Sequence, residues 1–359
     1  MTLILPLLPF YTERLGASPT VVGLLYSVFA LCQLLAGPYL GRLSDRVGRR
    51  PVLLVSQVGT LLGFILLGFA QTLWLGWLSR MIDGGTAGNL TIAQAYISDV
   101  TKPEDRAKSF AIIGIAFGLG FLIGPAISGY LAGFNYTYPV WAAAFLSAVS
   151  IACTYFLLPR HEPMHQPAEA NPGPGGRRLA LFEWGAYQKY FVDPQMRKLL
   201  MQWFLFAFSF STFISGFALF AERRYQWNAH PVGPREVGYI FAFSGFLGII
   251  MQGGMAGRLV KRFGERKVVR AGFLATALGY AATGLTFKIS ELLAVMTFSS
   301  VGGSGLRPAL TSIITQQADR REQGVVIGLT QSLTSIASIT ASVVAGYMIS
   351  QHWLTIWAV

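Results

Sequence analysis

Residues 41–51 read GRLSDRVGRRP, and this stretch places five charged residues in eleven positions of a chain that is only 12% charged. It separates two apolar runs, at residues 20–42 and 51–71. Arginines in a short loop between apolar runs hold that loop on the cytoplasmic side of a membrane. Topology needs only the positive charges, so Asp45 and the two glycines Gly41 and Gly48 require a further explanation.

The composition indicates a membrane protein. Of the 359 residues, 53% are hydrophobic, which is more apolar side chain than one soluble core can bury. A helix that crosses a bilayer needs about 20 apolar residues. Ten runs of this kind occur, at residues 20–42, 51–71, 73–98, 108–132, 137–158, 197–221, 236–257, 268–287, 290–315 and 324–350. Shorter apolar pieces at 3–10 and 353–357 predict a first and a twelfth span, both cut short.

The distribution of basic residues predicts the orientation. If the first span runs outward from the cytoplasm, 21 of the 28 lysines and arginines lie in cytoplasmic loops. We therefore expect a multi-pass protein of the cell membrane, the inner membrane in a bacterium, with both termini in the cytoplasm. The net charge of +12 follows from this topology and does not indicate nucleic acid. Cys32 and Cys153 lie inside apolar runs, which argues against a disulfide framework or a metal site.

The chain contains an internal repeat. Residues 257–267, GRLVKRFGERK, repeat the opening stretch at an offset of 216, and the Gly84-Gly85 pair recurs as Gly302-Gly303. We predict an N-terminal six-helix half at 1–159 and a C-terminal half at 197–359. The segment between them, 160–196, is predicted as a cytoplasmic linker, and its Pro- and Gly-rich part at 160–178 reads as flexible. Parallel repeats of this kind are typical of carriers that rock two halves about a central site.

The opening stretch resembles the signature between spans 2 and 3 of the major facilitator superfamily. The matching residues are Gly41, Leu43, Asp45, Arg46, Gly48, Arg49 and Arg50. The degenerate copy stands between spans 8 and 9, as in that family, and the resemblance covers the whole chain. It implies an all-α membrane fold of two pseudo-symmetric six-helix bundles, with the first and last helices incomplete here.

Three further stretches resemble the drug:proton antiporters of this family, and among them the tetracycline-efflux group. They are LPLLPFY at 5–11, LSRMIDGGTAGN at 78–89 and GLGFLIGPAISG at 118–129. The third resembles the span 5 antiporter motif, carried by Gly120, Gly124, Pro125, Ser128 and Gly129, with Ser128 in place of a glycine. The resemblance implies proton-coupled export of amphipathic drug-like compounds such as tetracycline. We expect a monomer without a cofactor, driven by the proton gradient.

By the same resemblance, the opening stretch acts as a conformational latch. Asp45, Arg49 and Asp99 are expected to form a charge triad when the cavity faces outward, supported by Gly41, Arg46, Gly48 and Arg50. An ion pair made in one state and broken in the other biases the equilibrium between them. The alternative is a solvated turn whose ion pairs contribute about 0–1 kcal/mol. For span 5, the alternative to export-related gating is close helix packing alone.

Three charged residues lie within complete spans, where charge is costly and marks function: Arg80, Asp83 and Arg307. On a helical wheel, Arg80 and Asp83 share a face of span 4 with Thr91 and Gln94, opposite to Asn89, and we expect that face to line an aqueous cavity. Span 10 carries Ser300, Ser304, Arg307 and Thr311 on one face. Asp83 is the leading proton carrier, with Arg80 stabilising its charged form; a static buried pair is the alternative. Arg307 would bind an anionic substrate group or cap a helix carbonyl.

Other functions remain open. The same architecture could carry an endogenous metabolite or a small organic anion, which Arg307 favours. A receptor that does not transport would have no need of charges inside its spans. An enzyme is disfavoured because the four histidines, His161, His165, His230 and His352, fall in the linker or loops, and no nucleophile, base or metal cluster is spaced for chemistry.

Overall fold

The computed structural model describes residues 2–101, 106–159, 184–251, 256–318 and 323–358, and these are almost entirely helical. The first half contains α1 Leu8–Arg14, α2 Pro19–Val47, α3 Arg49–Gly68, α4 Leu73–Gly85, α5 Asn89–Val100, α6 Arg106–Ala132 and α7 Tyr138–Leu157. The rest of the chain contains α8 Trp184–Val192, α9 Pro194–Arg224, β1 Gln226–Trp227, β2 His230–Pro231, α10 Pro234–Ile250, α11 Ala256–Phe263, α12 Glu265–Thr283, α13 Ile289–Gly303, α14 Leu306–Gln317, α15 Gln323–Ser350 and α16 Leu354–Ala358. The two strands form a short antiparallel hairpin.

Each of the ten complete predicted spans coincides with one helix or two consecutive helices, which confirms the predicted all-α membrane class. Seven helical segments in the described part of the chain are long and apolar enough to cross a membrane. The other three predicted spans do not meet this criterion of length and apolar composition, and the structure shows why. Span 4 is split into α4 and α5, of 13 and 12 residues. Span 8 is divided by residues 252–255, which lie outside the described residues, and span 9, α12, opens with the charged sequence ERK.

The internal repeat is visible in the backbone. Span 4 breaks just after Gly84-Gly85, and span 10 breaks just after the matching Gly302-Gly303, because paired glycines lower helix propensity. Gly48 and Gly264, which match in the two copies of the opening stretch, have φ angles of +106° and +82°. Only glycine adopts this region without strain. The repeated glycine is therefore needed for the sharp turn between consecutive spans.

Among the described residues, the two halves share a common core at one end of the molecule. We call the end that carries the loops at 41–51 and 257–267 the basic side, and the opposite end the far side. A far-side core joins both halves, with Val22 of the first half packed among Phe217, Phe220 and Ile349 of the second. On the basic side the cores are separate, one around Leu40 and Ile92 in the first half and one around Leu200, Leu310 and Val326 in the second. The halves therefore diverge toward the basic side.

Glycines mark the contact between the halves. A methyl group on Gly23 of α2 would overlap the Ser342 carbonyl of α15, and one on Gly346 would overlap the Pro19 carbonyl. In the second contact, a methyl on Gly238 of α10 would lie 2.5 Å from the Pro125 carbonyl oxygen of α6. Toward the basic side, by contrast, methyl groups at Gly37, Gly41 and Gly328 would meet no heavy atom within 4 Å.

The predicted linker is partly structured. Residues 160–183, which include the stretch predicted as flexible, lie outside the described residues, and α8 lies within the remaining part of the predicted linker. Tyr190 is 6% exposed and packs with Met196 and Leu200 of the second half. This part of the predicted linker forms a helix because its aromatic residues have an apolar surface to cover.

Candidate functional site

A buried ion pair lies in the first half. Arg80 and Asp83, one turn apart on α4, are each 3% exposed, and Arg80 Nη1 lies 3.2 Å from Asp83 Oδ2. Within the described part of the chain, neither Arg80 Nε nor Asp83 Oδ2 makes a hydrogen bond. The contact therefore rests on charge rather than on directional bonding. Such a pair is destabilised strongly when only one of the two charges is removed.

The glycines of neighbouring helices make room for this pair. A methyl group on Gly63 of α3 would lie 3.0 Å from Asp83 Cβ, and one on Gly84 would lie 2.5 Å from the Phe29 carbonyl oxygen of α2. The Arg80 guanidinium lies 5.9 Å from the centre of the Phe29 ring. Beside Arg80 is a cavity of about 20 Å³, also lined by Tyr26 and by residues 4, 5 and 8. This volume can hold one water molecule.

The predicted polar face of span 4 is not continuous. Arg80 and Asp83 are buried among helices, whereas Thr91 is exposed and Gln94 half-buried on α5. The helical wheel assumed one unbroken helix, and the break at residues 86–88 invalidates that assumption. The prediction that all four residues line one open cavity is therefore wrong for Arg80 and Asp83. Asn89, at the start of α5, donates through Nδ2 to Thr60 Oγ1 of α3 at 3.3 Å.

The two sides of α14, the second helix of span 10, differ in burial. Leu306 and Leu310 of α14 are fully buried against the second half, whereas Arg307 is exposed and Ser300, Ser304 and Thr311 are half-buried. Ser304 donates to the Val301 carbonyl at 3.1 Å, and Thr311 donates to the carbonyl of Arg307 at 2.8 Å. That this face confronts span 4 across the cavity stays a prediction.

The charge triad at the opening stretch is present. Arg49 lies 2.5 Å from Asp45 Oδ1 and 2.8 Å from Asp99 Oδ2, and it also donates to Ser44 at 2.7 Å. The resemblance assigned this triad to the state whose cavity faces outward. Here it is complete while the far side is closed, so its formation does not require the far side to open.

The remaining residues of the predicted latch differ in their surroundings. Arg50 donates to the Tyr155 carbonyl of α7, and its guanidinium lies 5.4 Å from the centre of the Tyr155 ring. Arg46 is exposed, and Gly41 has open space around it. Arg49 and Arg50 thus connect the loop to α5 and α7 within the first half.

The second half has an equivalent contact with different chemistry. Glu265, which occupies the position of Arg49 in the repeat, accepts hydrogen bonds from Ser312 at 2.7 Å and Gln316 at 3.3 Å, both on α14. The repeat therefore preserves a link from the start of the third span to the end of the fourth in each half. The first half makes it with an ion pair and the second with an acid and neutral partners.

The Gly48 turn gives a prediction about stability. Gly48→Ala is expected to lower the free energy of unfolding by about 1–2 kcal/mol, because its φ of +106° is unfavourable for any residue with a Cβ. Gly41→Ala is the matched control. Gly41 lies in α2 with no heavy atom within 4 Å of the added methyl, so alanine there should be neutral or stabilising. Thermal unfolding of the purified variants in detergent checks this; equal midpoints for both variants would contradict it.

The span 5 motif forms two packing surfaces on α6, and Pro125 does not interrupt this helix. A methyl on Gly124 would overlap Thr2, and one on Gly129 would lie 2.7 Å from the Arg235 carbonyl oxygen of α10. Gly120 faces Thr2 more loosely, at 3.6 Å, and Ser128 is 1% exposed. Close packing across the halves is thus observed, and a gating role stays a prediction.

One contact between the halves was not predicted from the sequence. Arg223 at the end of α9 lies 2.7 Å from Glu13 at the end of α1 and 3.4 Å from Glu222. This ion pair bridges the halves on the far side. Its partners are 210 positions apart, so no local spacing could reveal it. The available signal was the presence of charged residues at far-side helix ends, where basic residues are otherwise few.

Comparison with known proteins decides the family. The model of the Major Facilitator Superfamily matches residues 1–256 and 253–359, which together cover the chain. The chain belongs to the major facilitator superfamily. It is 30% identical to the tetracycline resistance protein, class C, of Escherichia coli, over 95% of this chain and 84% of that protein. It is 25% identical to multidrug resistance protein 2 of Bacillus subtilis (strain 168), over 96% of this chain and 84% of that one.

Solved structures agree on the major facilitator fold. The human organic anion transporter MFSD10 (TETRAN) superimposes with a TM-score of 0.73 at 24% identity, covering 99% of this chain and 92% of that one. As a member of the major facilitator superfamily, the protein is a multi-pass membrane transporter of a small molecule. Its family and relatives are transporters rather than enzymes.

Proposed function

We propose that this transporter is a proton-coupled exporter of amphipathic drug-like compounds such as tetracycline, working by alternating access. The observation that carries the proposal is the buried Arg80–Asp83 pair, since a carboxylate enclosed among membrane helices is suited to bind and release a proton. Similarity to tetracycline and multidrug resistance proteins supports the direction and the class of substrate. The proton gradient supplies the energy, and no cofactor is required.

The orientation follows from the basic side. From its arginines and lysines we infer that this side and both termini face the cytoplasm, in the inner membrane of a bacterium or the cell membrane generally. The structure then corresponds to the state that takes up substrate from the cytoplasm. The lipid bilayer and a monomeric chain complete the functional unit.

The proton acts through charge balance. With Asp83 ionised, the pair is neutral overall, and the Asp83 carboxylate holds the Arg80 guanidinium beside α2. Protonation leaves the Arg80 charge without its counterion in a site that water hardly reaches, which raises the free energy of this state. A state that gives Arg80 another partner or more water is then favoured, so proton binding and the conformational change are coupled.

Gradient-driven transport in everted membrane vesicles tests the proposal. Vesicles from producing cells, with an acidic interior, are expected to accumulate tetracycline and to release it when an ionophore collapses the pH gradient. Vesicles from cells without the protein are the control. Accumulation that is absent, or that is unaffected by collapse of the gradient, would overturn the proposal.

A second candidate substrate is a small organic anion of the cell's own metabolism. Arg307 has no partner among the residues that the structure describes, and it favours this candidate because an exposed positive side chain within a span suits an acidic solute. Accumulation of such an anion in the same vesicles, with no accumulation of tetracycline, would select this candidate. A receptor that does not transport is the least favoured function because it needs none of the charges within the spans.

A further inference from the structure

The charge balance inside the described spans leaves one positive charge over. The sequence places three charged residues within the predicted spans and away from the ends of those spans: Arg80, Asp83 and Arg307. Arg80 and Asp83 neutralise each other at 3.2 Å. Arg307 makes no ion pair and no side-chain hydrogen bond to any residue that the structure describes. Among the described residues, the interior of the spans therefore carries one uncompensated positive charge, located on α14.

No acidic side chain in the described part of the chain forms an ion pair with Arg307. The helices packed against α14 are α9, α12, α13 and α15, and their central turns carry no charged residue. Glu265, the acid that contacts α14, is hydrogen-bonded to Ser312 and Gln316. The nearby hydroxyls of Ser304 and Thr311 donate to backbone carbonyls. No helix carbonyl among the described residues accepts a bond from Arg307, which disfavours the capping role.

The energetic cost of a charge in lipid favours an aqueous surrounding for Arg307. Leu306 and Leu310 are buried in the core of the second half, whereas the neighbouring Arg307 side chain is exposed. A cation facing hydrocarbon would cost about 2.5–3.5 kcal/mol on insertion scales. An arginine lining an aqueous cavity avoids that cost and presents five donors in a planar fork that matches a carboxylate.

We propose that Arg307 binds an acidic group of the transported compound, so that this transporter selects anionic or zwitterionic amphipaths over cationic ones. This inference rests on the proposed transport function for its biological meaning, but the binding itself needs no proton gradient. The acidic group of the substrate then serves as the counterion of Arg307, and this counterion arrives and leaves with the substrate. A cationic compound meets the same charge as repulsion.

Binding to the purified full chain in detergent tests the proposal with a matched pair of probes, 2-naphthoate and 2-naphthamide. These share an aromatic body and differ in the acidic group. The readout is the concentration of each probe that gives half of its maximal thermal stabilisation. For the wild type we expect 2-naphthoate to reach half-maximal stabilisation at a concentration about tenfold lower than 2-naphthamide does. This ratio corresponds to the free energy of about one charge-assisted hydrogen bond.

Variants assign the effect to Arg307. Arg307→Gln is expected to abolish the tenfold preference, and Arg307→Lys to keep part of it, because lysine retains the charge but not the fork. Lys288→Gln, an exposed charge outside the spans' interior, is the matched control and should behave as the wild type. If Arg307→Gln does not fold, the wild type and Arg307→Lys still decide the question.

The outcomes separate this proposal from the proposed function. Equal concentrations of acid and amide in the wild type, or a preference for the acid that survives Arg307→Gln, would overturn acid recognition by Arg307. Failure of tetracycline accumulation in vesicles, together with Arg307-dependent naphthoate binding, would remove the proposed substrate and leave the acid site standing.

Discussion

Replacing Gly346 by alanine is expected to slow transport about tenfold. A methyl group at this position would overlap the Pro19 carbonyl and lie 3.1 Å from Thr20 Cα, so α2 and α15 could no longer close as they do here. Overpacking of this kind costs about 1–3 kcal/mol, and 1.4 kcal/mol changes a population ratio tenfold. The loss falls on the far-side-closed state, which every transport cycle must visit. The rate of gradient-driven accumulation in vesicles measures it.

A labelling experiment links this loss to the conformation. Ser27, 5% exposed, donates to the Ile339 carbonyl across the same contact at 2.6 Å. With Cys32 and Cys153 replaced by serine, Ser27→Cys should react with a membrane-impermeant maleimide faster in the Gly346→Ala background. Gly76→Ala, where the added methyl meets nothing within 4 Å, is the control. Slow transport without faster labelling would show that Gly346 acts by another route.

Asp83→Asn is expected to abolish gradient-driven export while leaving exchange of substrate across the membrane. The amide cannot release a proton, so the gradient has no entry point at this site. Removing one member of a buried pair also leaves Arg80 uncompensated, at a cost of about 3–5 kcal/mol in stability. The double variant Arg80→Gln/Asp83→Asn removes both charges and separates the two effects.

This design distinguishes coupling from folding. We expect the double variant to unfold at a higher temperature than Asp83→Asn and to remain uncoupled, while Asp83→Glu retains coupled transport. Export that stays gradient-driven in a folded double variant would make the Arg80–Asp83 pair structural. The proton site would then have to lie elsewhere in the chain.

Much of the architecture was predictable because bilayer physics leaves few choices. Apolar runs of sufficient length become helices, so the ten spans were placed correctly. The repeat at an offset of 216 aligns Gly48 with Gly264, and both glycines have positive φ in the structure. Local sequence patterns suffice to place a helix where lipid surrounds it and a loop ends it.

The site was less predictable because it depends on contacts between distant segments. The wheel placed Arg80 and Asp83 on a face with Thr91, but the glycine-rich break after Gly85 ends the helix on which the wheel depends. The Glu13–Arg223 bridge and the closed far side arise only when the halves meet. Tyr190 shows the same limit, since a linker sequence gives no sign of the apolar surface it will cover.

The central claim, proton-coupled transport through Asp83, is tested most directly by proton movement itself. Proteoliposomes that enclose a pH-sensitive dye and hold an imposed pH gradient would be given tetracycline, and substrate-dependent proton flux recorded for the wild type and the Arg80→Gln/Asp83→Asn variant. We predict a flux that depends on tetracycline in the wild type and none in the variant. An equal flux in both, or no tetracycline-dependent flux in the wild type, would contradict the account.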